Sequence, residues 1–351
     1  MRIKTVSLLF VAIIFISASL GFSAEEKKKL LFIAPTFNIE GVGYSIDSIK
    51  EIGENLLPVI EKKTGLSFDY EIVGSTKHTQ NDAMDLALER LKKGGDLSWM
   101  DYRHFKEARR QGIPLQPVAI FTTGGKITGK ECLYVDTDKT YRKVEDLRDK
   151  RITGGYLMDW IGIRALLHEN GIDERPDDFF EALIPVKTYT ASLRGTLGGY
   201  IDTFFMLDSL FGVIKTSVPS SDKFAPLVCT DVSHNIVFPV YREGIDPEAV
   251  GKMKEIFFNV QDDPDMGIVA ALMKQLNIYF IEATPEIMKQ FEEEHQKTIK
   301  NGWFEEGEQY EKQVKAMEKK SADLKTCRKK CKKKGEDEKQ VCIDLCNQKF
   351  K

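Results

Sequence analysis

Two glycine-punctuated units between Val144 and Phe211 constrain the fold more than any other stretch. VEDLRDKRITGGYLMDWIGIRALLHENGID (144–173) reads as a short strand, a turn at Gly154-Gly155 and a helix stopped by Gly171. YTASLRGTLGGYIDTFFMLDSLF (189–211) reads as a helix, a stop at Gly198-Gly199 and a strand ending at Met206-Leu207-Asp208. Twice, a strand runs out into a turn that could hold a small molecule. The order is that of an α/β protein built to close on a solute.

The flanking chain has the same grammar. KLLFIA (29–34), SFDYEIV (67–73) and DLSWMDY (96–102) read as strands, and residues 45–64 and 80–93 as helices between them. ECLYVDTD (131–138) opens a second α/β unit. FAPLVCTD (224–231) and NIVFPVYRE (235–243) read as the return to the first. Helices follow from Pro247 and Pro264, each entered through Asp-Pro, and from Pro285. The expected plan is lobe 1 at 25–125 and 236–305, lobe 2 at 126–235, and a helical extension at 306–351. In that extension Tyr310, Val314, Met317, Ser321, Leu324, Arg328 and Cys331 fall in four-three steps, one narrow helical stripe.

Residues 1–24 carry Arg2 and Lys4, then an apolar run from Leu8 to Leu20, then small residues before EEKKK. That predicts a secretory signal cleaved near Ala24 and a periplasmic mature chain with no stable membrane insertion. Losing Arg2 and Lys4 takes the net charge from −3 to −5, which argues for no nucleic-acid partner. The five histidines, His78, His104, His168, His234 and His295, show no HxxxH or HExxH spacing, and no GxSxG elbow is present. GVGYSI (41–46) lacks the third glycine of a dinucleotide loop. The expectation is a monomeric binding protein with no enzyme activity, cofactor or metal. An enzyme built on the same lobes, or a sensor for a receptor kinase, is the alternative.

Six cysteines lie in the exported part. Cys327-x3-Cys331 and Cys342-x3-Cys346 place each pair on one helix face, with Gly335 between them for a turn. Four cysteines allow three connectivities. Bridges inside one pair would hold nothing together, so the nested pattern Cys331–Cys342 and Cys327–Cys346 is expected in an oxidising compartment, with a zinc site as the alternative. Cys132 and Cys229, isolated in apolar runs, are expected to be free buried thiols.

From Lys29 to Met288 the chain resembles the phosphonate/phosphite-type periplasmic solute-binding proteins of ABC importers. LLPVIEKKTGLSFDYEIVGST (56–76), GGDLSWMDYRHFKEARRQGIPLQPVA (94–119), VEDLRDKRITGGY (144–156) with IRALLHENGID (163–173), and LRGTLGGYIDTFFMLDSLF (193–211) carry the likeness. The resemblance implies a two-lobed type II fold with two crossover strands, a ligand held in the cleft, and a permease with its ATPase as partners. Ligands in open α/β sheets sit beyond the carboxyl ends of the strands, where helix N-termini offer free N–H groups. The candidate ligand residues are therefore Thr36, Phe37, Asn38, Ser75, Thr76, Trp99, Asp101, Tyr102, Tyr156, Asp159, Trp160 and Asp208. The family holds its anion with small hydroxyl residues and a glycine at one helix start. Here that place reads Tyr156-Leu157-Met158-Asp159-Trp160, and Asp101-Tyr102 replaces the family's Gly-Pro. The aromatic groups and three carboxylates predict a zwitterion, amine or aromatic solute rather than a simple phosphonate. Each aromatic also has a core reading, and Asp208, Ser75 and Thr76 each have a reading as helix caps.

Overall fold

The computed structural model describes residues 29–36, 58, 60–63, 65–75, 78–123, 127, 129–154, 156–186, 189–215, 218–230, 237–275, 277–331 and 336–349. The signal segment, the expected helix at 45–64 except for a few residues, and candidates Phe37, Asn38 and Thr76 lie outside them.

The first sheet begins with β1 (Leu30–Thr36), an almost wholly buried run that lies parallel to β2 (Phe68–Gly74) and β3 (Leu97–Asp101). Being covered on both faces requires the continuous LLFIA pattern rather than alternation. Helix α1 (Gln80–Lys92) follows β2 and is started by a capping box between Thr79 and Asp82. Helix α2 (Tyr102–Arg110) follows β3 without a loop, because Asp101 itself caps it. β4 (Leu115–Pro117) and β5 (Ile120–Thr123) lead out of the lobe.

β6 (Glu131–Asp136) enters the second lobe. It is followed by β7 (Arg151–Thr153), α3 (Leu157–Glu169), the single turn α4 (Pro176–Phe179), β8 (Ala182–Ile184), α5 (Tyr189–Leu197), β9 (Thr203–Leu207) and α6 (Asp208–Ile214). β10 (Phe224–Cys229) leaves that lobe, and β11 (Val237–Arg242) rejoins the first sheet between β3 and β4. Among the described residues the two sheets run β2-β1-β3-β11-β4 and β10-β6-β9-β7-β8. The chain passes between them twice, through β5 to β6 and through β10 to β11. This is the two-lobed type II architecture with two crossovers.

Lobe 1 is completed by α7 (Pro247–Asn259), α8 (Gly267–Gln275), β12 (Ile278–Ile281) against β5, and α9 (Pro285–Lys300). The long α10 (Trp303–Cys331) and α11 (Glu336–Lys349) end the described chain. The disulfides Cys327–Cys346 and Cys331–Cys342 join these two helices in the nested pattern, which takes the thiolates a zinc ion would need. No helix among the described residues is long and apolar enough to cross a membrane.

Two findings correct the sequence reading. Cys132 and Cys229 are bonded to each other, not free. β10 runs antiparallel beside β6 in a register that sets the two residues opposite, with their Cα atoms 4.0 Å apart. A separation of 97 residues hid that pairing in the sequence. The bridge ties the two crossovers together where they meet lobe 2, and closing so long a loop stabilises by roughly 4–5 kcal/mol on the chain-entropy estimate. Thiol counting on the denatured, unreduced protein should therefore find no free cysteine; a count of two would refute the bridge.

The second correction concerns the extension. α10 starts at Trp303, so a boundary after residue 305 falls inside it, and its first half is not an appendage. Trp303, Tyr310 and Val314 are buried in the lobe 2 core with Leu157, Trp160 and Ile161. Gly307 permits this approach: a Cβ there would stand 2.8 Å from Leu157 Cδ1 and 3.2 Å from the Trp160 ring.

Candidate functional site

The carboxyl ends of the parallel strands place the candidates, and not all of them face one another. Thr36 ends β1, wholly buried, and its Oγ1 makes no hydrogen bond. Ser75, just past β2, shares a 2.8 Å hydrogen bond with His78 Nδ1. Trp99 is in the lobe 1 core, edge-on to Phe257 and beside Phe280. Trp160 is wholly buried in the lobe 2 core. Both tryptophans thus have the core role. β3 and the first turn of α3 are each covered on the side where the large ring points.

Asp101 is also occupied. Its Oδ1 accepts from the His104 backbone N–H at 2.9 Å and lies 2.8 Å from the ring Nδ1, while Asp85 lies 3.2 Å from Nε2. Burial pulls the His104 imidazole down, but the two carboxylates outweigh it and push it up to about 9. The ring is an imidazolium at neutral pH. Asp208 is exposed, and its Oδ1 accepts from the Tyr134 hydroxyl at 2.6 Å.

Tyr102 stacks on Phe291 and donates to Glu292 at 2.7 Å. It lines a groove of about 1030 Å³ between α2, α9 and the start of α10, with His295, Met288 and Phe304. The groove's cations are mostly answered: Arg103 pairs with Glu308, Lys106 with Glu292, and Arg110 with Glu107. Charge there is neutralised locally, which leaves little to attract an anion.

The candidates that do converge are Tyr156 and Asp159, at the start of α3. Burial, together with Glu131 and Glu311, pushes the Asp159 carboxyl up to about 7. Glu131 begins β6 and is wholly buried against α3. The helix comes this close because residue 162 is glycine; a Cβ there would stand 2.7 Å from Glu131 Oε2 and 2.5 Å from Phe205 Cζ. Tyr189, from the first turn of α5, is raised by burial and by Asp159 and Glu131. The Tyr156 hydroxyl donates to Glu318 at 3.2 Å.

Glu311 of α10 reaches the same place. It is 4% exposed, its Oε1 is buried with no hydrogen-bond partner, and the Leu157 backbone N–H at the start of α3 favours its ionised form. Burial pushes Glu311 above the usual carboxylate range, against the pull of Lys315, 3.6 Å away. Lys315 Nζ in turn lies 2.7 Å from Asp82 Oδ1 in the first turn of α1. Three carboxylates and two phenols from α3, β6, α5 and α10 therefore gather at the lobe 2 strand ends. Low-dielectric surroundings of that composition favour a positive charge and stand against an anion.

Glu131, Tyr189, Glu311 and Lys315 were not legible as site residues. Glu131 gave one available signal, an acid placed directly before the apolar run CLYV in the strand ECLYVD. Glu311 and Lys315 sit in a Glu/Lys-rich helix whose sequence matches any solvated face.

Residues 44–286 match the family described as ABC transporter, phosphonate, periplasmic substrate-binding protein. Three solved structures are similar. PhnD1 from Prochlorococcus marinus in complex with methylphosphonate has 14% identity and a TM-score of 0.57, covering 78% of this chain and 99% of its own. A Xanthomonas citri protein bound to ATP has 13% identity and a TM-score of 0.52, covering 81% and 99%. A TctC solute binding protein from Polaromonas has 12% identity and a TM-score of 0.51, covering 81% and 100%. At these identities the likeness is one of fold. No curated protein sequence matches the chain.

Proposed function

The chain belongs to the periplasmic substrate-binding protein family of phosphonate-type ABC transporters, and on that premise we propose that it captures a small solute carrying a positively charged group. The solute is a zwitterion or an amine, held in the cleft between the lobes. The mature chain, freed of its signal near Ala24, acts as a monomer in the periplasm and delivers the solute to a permease and its ATPase. The observation behind this reading is the gathering of Glu131, Asp159 and Glu311 with Tyr156 and Tyr189 at the start of α3. An ammonium group there would offset the burial and the carboxylate repulsion that raise Asp159, and the phenol rings would add cation–π contact. A phosphonate would meet carboxylates where it needs donors.

Mass spectrometry of the full chain purified without denaturation should find a bound small molecule with a protonatable nitrogen or a fixed positive charge. Calorimetry with methylphosphonate at neutral pH should show no binding at micromolar concentrations, roughly −8 kcal/mol or better being required to register there. A co-purified phosphonate or sulfonate, or tight methylphosphonate binding, would refute the assignment.

A further inference from the structure

We propose that α10 sets the charge preference of the cleft: Glu311 fills, from within the chain, the place at the start of α3 that a solute anion would take, and turns that end of the cleft toward cations. The proposal rests on the cleft being the solute site.

A helix start carries backbone N–H groups with no acceptor in the helix and a partial positive charge. A side chain at the N-cap normally answers one of them. Here α1 has its Thr79–Asp82 capping box, and α9 has Thr284. α3 has Tyr156 at that position, which makes no capping hydrogen bond. The negative charge at that end comes instead from a segment about 150 residues downstream (roughly 1.5 Å of rise per residue carries α10 across the gap). It is the Glu311 carboxyl, buried with its Oε1 unpartnered, one turn after Gly307 brings α10 against Leu157 and Trp160 at that helix start.

The helix that brings it is anchored on both lobes. On lobe 1, Glu308 pairs with Arg103 of α2, and Lys315 with Asp82 of α1. On lobe 2, Glu318 accepts from Tyr156, and Gly307 and Val314 pack on the α3 side of the core. Gly307, Glu311 and Lys315 recur at four-residue steps, so one face of α10 carries the close approach, the carboxylate and the cation. This face lies outside the residues that match the family, 44–286. Charge reversal at the start of α3 is therefore an addition made by the C-terminal helix. A solute that brings its own anion would compete with a carboxylate covalently held at very high effective concentration.

The test uses the full chain with Glu311→Ala, and with Glu311→Gln, which keeps the volume and hydrogen-bonding oxygen but not the charge. The probes are methylphosphonate and inorganic phosphate. Calorimetry is run near pH 6, below the titration of Asp159. The wild type should be silent to about millimolar, Glu311→Ala should bind at least about tenfold tighter, and Glu311→Gln should fall between them. If Glu311→Ala fails to fold by circular dichroism, Glu311→Gln decides alone. Folded variants as silent as the wild type would overturn the proposal and leave Glu311 as a structural cap, with the cationic-solute reading still standing. Tight methylphosphonate binding by the wild type would overturn both.

Discussion

A chain ending at Glu305 should lose the stability of its second lobe. The cut removes Tyr310 and Val314, which are 9% and 1% exposed in the lobe 2 core, and uncovers Leu157 and Trp160 beneath Gly307. Burying one such side chain stabilises by about 1.5–3 kcal/mol, and emptying its place costs more, so the loss should reach roughly 4–6 kcal/mol. A domain of ordinary stability, about 5–15 kcal/mol, keeps little after that. The removed stretch also holds Glu311, so the cleft changes as the lobe loosens. A second chain ending at Leu324 separates the effects. It keeps Trp303, Tyr310, Glu311 and Val314 and drops the cysteine hairpin. Urea unfolding should show that chain within about 1 kcal/mol of the full protein in its lobes, since surface losses are small. The 305 chain should instead unfold lobe 2 at a much lower midpoint. Equal midpoints for the 305 chain and the full protein would refute the docking of α10.

The fold was legible because its signals are local. The LLFIA run, the Asp-Pro entry at Asp246, whose side chain caps α7, and the glycine stops at Gly171 and Gly199 act within a turn of where they stand. The C-terminal bridges were legible for the same reason, since two CX3C pairs around one glycine define a hairpin without help from the lobes. The bridge between Cys132 and Cys229 was not, because only the antiparallel return of β10 brings the two together.

The site divides along the same line. Asp159 and Tyr156 could be singled out as odd residues at a helix start. What gives them meaning comes from elsewhere: Glu131 from a crossover strand, and Glu311 from a helix beyond the lobes. Trp99 and Trp160 misled because a tryptophan at a strand end or helix start satisfies a core as readily as a ligand. Covering layers decided it, Phe257 and Phe280 in one case and α10 in the other.

The substitution Asp159→Asn should stabilise the protein in a way that depends on pH. The groups facing Asp159 are Glu131 from β6, Glu311 from α10 with Lys315 beside it, Tyr189 from α5, and Tyr156 from its own turn. Burial and the carboxylates hold its pKa at about 7 in the folded chain, against about 3.9 unfolded. Because the folded pKa is the higher, the native state binds the proton more strongly. The resulting stability is fully present below about pH 4 and is lost as pH rises through about 7. Above that, the ionised carboxyl costs the fold about 2–4 kcal/mol, the upper end being three pKa units at 1.36 kcal/mol each. The amide of the variant would carry no such charge. Urea unfolding of both proteins at about pH 4, 6 and 8 should give a stability difference within about 1 kcal/mol at the lowest pH, rising in favour of the variant to a plateau at the highest. A difference that stayed flat across the range would mean that Asp159 is not held protonated by its neighbours. The same proton bears on capture. A cationic solute that favours ionised Asp159 should release up to one proton on binding near pH 7, whereas an anion should take one up, so the sign of the buffer-dependent heat reports the charge that the cleft prefers.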